Sequence, residues 1–196
     1  MTNIENEEFE ILAKDILEDE KFKLLKRDRH HGTNKYDHCT RVGYVSYKLA
    51  KFFNCDYESI VRPALLHDFF FGERTEKAEK NYLAHPVTSA ENAKHYFNIS
   101  EHEQDIIKTH MFHFAFLRTI FPFIDFKQKP ELKKNTPRSK EAWIVCFADL
   151  VVSIKEFGIF KIGYSFALIM LFFINFISLH TTTAKITCYK IGKIFF

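Results

Sequence analysis

Six residues carry the chemistry that this sequence can do: His38, His67, Asp68, His85, His110 and Asp149. His67 and Asp68 are adjacent inside "LLHDFF", a run that otherwise reads as core. Such groups are costly to bury unless they are paired or coordinate a metal. Taken singly, each has an ordinary explanation. A histidine on an apolar face can bond a backbone carbonyl, and an aspartate near a helix end can be a cap. Together, four imidazoles and two carboxylates form the side-chain set that divalent transition metals prefer. Six groups exceed the four of a tetrahedral zinc site and are enough for two metals sharing a carboxylate. Neighbouring helical residues diverge by about 100°, so a metal between His67 and Asp68 needs the relaxed last turn of a helix.

The elements that must position these residues read as helices. Residues 7–28 form an amphipathic stripe with Phe9, Leu12, Ile16 and Leu17. "RHHGTNKY" breaks it. A second helix runs from Tyr36 to about Phe53, with Val42, Val45, Leu49 and Phe52 in step and His38 four residues before Val42. A third covers about Tyr57 to Phe69 and places Asp68 beside Val61, Ala64 and Leu65. Residues 71–84 read as a charged excursion. Pro86 restarts a helix, with His85 at its N-cap. Ser100 and Glu103 have the capping-box spacing and open a helix carrying Ile106, Ile107 and His110. Residues 119–138 hold three prolines and many lysines and read as a loop. "SKEAWIVCFADLVVSIKE" is the last helix, with Val145, Asp149 and Val152 in register.

The order His38, "HD" at 67–68, His85, His110 and "AD" at 148–149 resembles the HD-domain superfamily of metal-dependent phosphohydrolases. The stretches "YDHCTRVGYVSYKLAKFF", "ALLHDFF", "HPVTSAENA", "IIKTHM" and "EAWIVCFADLVVS" carry the resemblance over roughly residues 30–156. It implies an all-α fold, the HD-domain helical bundle, here with an extra hydrophobic C-terminal helix. It also implies His38, His67, Asp68 and Asp149 as the basic metal ligands. His67 and Asp68 would be the catalytic pair. His85 and His110 resemble the added histidines of the dinuclear branch, with Asp68 bridging two divalent ions such as iron or manganese. Two such ions lower the pKa of a water between them and neutralise phosphoryl charge. The implied function is hydrolysis of a nucleotide or small phosphate ester. A di-iron oxygenase and a non-enzymatic nucleotide-sensing or membrane-tethered module are the alternatives.

Arg41, three residues after His38, is the best candidate for a substrate phosphate. Its face is otherwise apolar, and a buried Arg needs an anion. His31, Lys35, Arg74 and Lys80 fall in loops that could border the pocket, though a solvated surface role is the plainer reading of each. Lys108 points away. "MFHF" after His110 departs from the family pattern; His113 there could replace a ligand or contact a phosphate, though surface is the plainer reading.

Gly and Pro are scarce, at 6 and 5, which favours helices over many short strands. The four cysteines form no close pair and read as reduced thiols of a cytosolic protein. The acidic start "MTNIENEEFE" is no signal peptide. Residues 1–157 hold 24 Lys and Arg against 25 Asp and Glu, giving no electrostatic case for general nucleic-acid binding. Residues 158–196 hold four Lys and no acid and read as a separate tail. Within it, residues 162–179 have no charge over 18 residues, about 27 Å as a helix. This segment reads as a membrane anchor, as a buried hydrophobic helix or as a poorly folded tail.

Overall fold

Asp19 divides the first helical stretch. In place of one helix over 7–28 there are α1 (Asn3–Leu17), α2 (Glu20–Lys23) and a 3₁₀ turn (Leu24–Arg27). Asp19 is extended, and its carboxylate accepts from the N–H groups of Lys21 and Phe22. It is therefore a cap, where the amphipathic pattern placed it inside a helix. The break lets Phe22 and Leu25 both enter the core. The computed structural model describes residues 3–30, 33–71, 84–113, 115–116, 135–156, 169–170 and 173.

Next comes an antiparallel ribbon of two-residue strands, β1 (Arg29–His30) and β2 (Thr33–Asn34), with His30 opposite Thr33. Asn34 ends it and caps α3 (Lys35–Phe52) by accepting from Asp37 N–H at 2.9 Å. Asp56 caps α4 (Tyr57–Leu66) through Ser59 N–H at 3.1 Å. The helix stops at Leu66, so His67 and Asp68 lie in the turn beyond it. The third helix is thus three residues shorter than its pattern predicts.

α5 (His85–Phe97) begins one residue earlier than expected. His85 is its first residue and Ala84 its cap, with no side-chain bond. Asn98 closes it in the left-handed region at φ 49°. α6 (Glu101–Thr109) opens with both bonds of the capping box between Ser100 and Glu103. Ser139 accepts from Ala142 N–H at the start of α7 (Lys140–Glu156).

α3 packs on α4 and α7, and α6 packs on α4, α5 and α7. α3 and α4 approach closely at Gly43, where a Cβ would meet Leu65 Cδ2 at 2.7 Å. Glycine here lets α3 approach α4 closely, which brings His38 towards the end of α4. Among the described residues the architecture is an all-α bundle with one short β-ribbon. The chain divides into two compact units, Met1–Phe157 and Gly158–Phe196. Among the described residues no helix is long and apolar enough to cross a membrane. The 162–179 segment falls outside the described residues except at 169, 170 and 173, as do Cys188, His31, Arg74 and Lys80.

Candidate metal centre

All six donors are buried, none more than 5% exposed. They come from five places: the first turn of α3, the turn after α4, the start of α5, the end of α6 and the middle of α7. The structure brings them together in two neighbouring groups. In the first, His38 Nε2 lies 3.1 Å from Asp149 Oδ1, and His67 Nε2 lies 3.7 Å from the same oxygen. In the second, Asp68 Oδ1 lies 3.1 Å from His85 Nε2 and 3.6 Å from His110 Nε2. The two histidine nitrogens of that group are 3.0 Å apart. The other Asp68 oxygen, Oδ2, lies 3.9 Å from His67 Nε2. Asp68 thus presents one oxygen to each group.

The imidazoles are oriented from behind. His67 directs Nδ1 to the Ala64 carbonyl at 2.8 Å, and His110 directs Nδ1 to the Ile107 carbonyl at 2.7 Å. Carbonyls only accept, so both rings carry a proton on Nδ1 and turn Nε2 inward. His38 directs Nδ1 to Glu156 Oε2 at 2.8 Å. His85 is flanked by the Phe70 ring, with centroids 5.0 Å apart.

The electrostatics follow from this crowding. Burial opposes a charge on His38, but its bonds to Asp149 and Glu156 outweigh that and raise its pKa to about 10. Burial opposes protonation of His67 too, yet Asp68 and Asp149 raise its pKa. Burial, with His67 and His85 nearby, lowers His110 to about 3, so that ring is neutral with a lone pair on Nε2. Asp149 is held well below the usual carboxylate range; burial works against this, and the hydrogen bond to His38 and the nearby His67 ring prevail.

The donors fit a metal. His67 Nε2 is buried and has no hydrogen-bond partner. An orphaned imidazole nitrogen beside carboxylate oxygens is a costly arrangement that a cation relieves. The trios His38, His67, Asp149 and His67, Asp68, His110 each bring their ligand atoms within 4.8 Å of one another.

Three expectations change. Arg41 is exposed, its side chain at 51%, and its anion here is Glu156, at 2.6 Å. Its long side chain carries the guanidinium out to solvent. Lys35 is no surface lysine. It is buried, and its Nζ donates to Asp28 at 3.1 Å and to the Phe70 carbonyl at 2.8 Å. His113 is half-buried, with Nδ1 3.7 Å from the Cys146 thiol. Glu156 escaped the sequence reading. As a lone acid ending an amphipathic helix it carries no signal until the fold sets it beside His38.

No curated protein matches the chain. Its fold is similar to that of the HD domain of the phosphodiesterase PgpH from L. monocytogenes, a crystal structure in complex with cyclic-di-AMP. That likeness covers 90% of this chain and 92% of that one, at 16% identity and a TM-score of 0.55. The HD domain model matches residues 36–153, a span that contains all six donors, and the chain therefore belongs to the HD domain family.

Proposed function

We propose that the protein is a metal-dependent phosphohydrolase acting on a nucleotide or related phosphate ester, with two divalent transition-metal ions sharing Asp68. The observation that carries this reading is the division of the Asp68 carboxylate, with Oδ1 facing His85 and His110 and Oδ2 facing His67. His38, His67 and Asp149 would hold one ion, and His85 and His110 the other. When bound, the ions supply an activated water and offset the negative charge on the phosphoryl group.

The protein's own groups do the rest. The Ala64 and Ile107 carbonyls keep the protons of His67 and His110 on Nδ1, so each Nε2 stays available as a ligand. Lys35 bonds the Phe70 carbonyl, which fixes the chain just after Asp68. Arg41, exposed three residues beyond His38, offers a guanidinium to a substrate phosphate. The cyclic-di-AMP in the PgpH domain makes nucleotide phosphodiesters the first class to try.

The test is a panel of nucleotide diesters and monoesters with Mn²⁺ and protein of measured metal content. Product release that is lost in His67→Ala and Asp68→Ala is the expected result. Hydrolysis retained by both variants would sink the assignment. An O₂-dependent product without hydrolysis would favour an oxygenase.

A further inference from the structure

His67 and His110 each end a helix, where carbonyls left over by the backbone ladder are available to orient the ring. His38 has no such resource. It is the fourth residue of α3, and carbonyls in a helix's first turn are taken up by the ladder that follows. An acceptor for its Nδ1–H must come from elsewhere. Glu156, 118 residues away at the end of α7, supplies it. The Glu156 side chain is only 7% exposed, so its charge must be matched. Oε2 accepts from His38 at 2.8 Å and Oε1 from Arg41 Nη1 at 2.6 Å. Arg41 in turn reaches Thr33 Oγ1 at 3.4 Å. The ribbon, α3 and α7 are thereby joined through one carboxylate behind the ring.

We propose that Glu156 is the positioning residue of His38, a role that rests on the metal-centre reading above. Its carboxylate keeps a proton on Nδ1, fixes the ring plane and turns Nε2 towards Asp149. Through the shared hydrogen bond it also makes Nε2 a stronger electron donor to a metal. Arg41 holds the carboxylate from the solvent side and offsets its charge.

The test is Mn²⁺ titration of the full-length protein by calorimetry, with bound metal counted by elemental analysis. Glu156→Ala is expected to weaken one of two sites by about ten- to hundredfold and to leave the other unchanged. Glu156→Gln should recover part of the loss, since its amide oxygen still accepts from Nδ1. His38→Ala is the reference. If it loses one ion while Glu156→Ala binds two at wild-type affinity, the positioning role is wrong and the metal centre stands. If His38→Ala also keeps both ions at wild-type affinity, the metal centre itself is wrong. A lower unfolding midpoint of metal-free Glu156→Ala with both affinities unchanged would make Glu156 merely structural and overturn the proposal. Should the alanine variant fail to fold, Glu156→Gln decides alone: one site weakened supports the role, two unchanged sites refute it.

Discussion

His67 and His110 solve one geometric problem in the same way. Each follows the last residue of a helix, gives its Nδ1 proton to the carbonyl three residues back, and projects Nε2 past the helix end. The carbonyls that a helix end leaves over thus become the groups that orient the two rings. Lys35 works on the backbone instead. Buried between Asp28 and the Phe70 carbonyl, with Nζ 3.4 Å from the Phe70 ring centroid, it secures the segment that carries Asp68. Lys35→Met is expected to cost about 1.5–3 kcal/mol, the usual worth of hydrogen bonds to a charged group, as measured by urea unfolding. An unchanged midpoint would show that Lys35 does not hold this turn. The six donors were legible in the sequence because buried His and Asp at helical spacing are anomalous. Lys35 and Glu156 were not. Phe70, whose carbonyl Lys35 bonds, and His38, which Glu156 bonds, lie 35 and 118 residues away, and long charged side chains in a polar context look solvated until the fold closes over them.

At the scale of elements, two of the junctions that hold α3 can be probed singly. Its close approach to α4 depends on Gly43, since any side chain there meets Leu65. Gly43→Val should destabilise by about 1–3 kcal/mol, the typical cost of overpacking, read as a lower denaturant midpoint at constant m. The other junction ties α1 to α3. Lys51 and Tyr47 both donate to Glu8 and lower its pKa to about 2. The folded value lies below the ordinary 4.5, so this contribution is complete above pH 4.5 and disappears as the pH falls through about 2. The melting-temperature gap between wild type and Glu8→Gln should therefore close over that range. A gap that persists at pH 2 would mean that the Glu8 charge is not its source. Helix existence was readable from apolar periodicity at this scale, but helix ends were not. The stripe over 7–28 continues in register through Asp19, and only the extended backbone of Asp19 shows that its carboxylate caps a new helix.

Across the Met1–Phe157 unit, four imidazoles and two carboxylates share a core that they would destabilise if left unmatched. Two metal ions would reverse that cost. At free Mn²⁺ about a hundredfold above its Kd, each ion should add about 2.7 kcal/mol to the stability. For a protein of this size that is a rise of roughly 5–11 °C per ion. Differential scanning calorimetry with Mn²⁺ and with a chelator measures it, and coincident transitions would speak against a metal centre in the core. If Asp68 joins two ions, elemental analysis of Asp68→Ala reveals it. Two ions per chain are expected in the wild type and none at stoichiometric level in the variant. Retention of one ion at wild-type affinity would mean that Asp68 serves a single metal, and retention of both would mean that it serves neither.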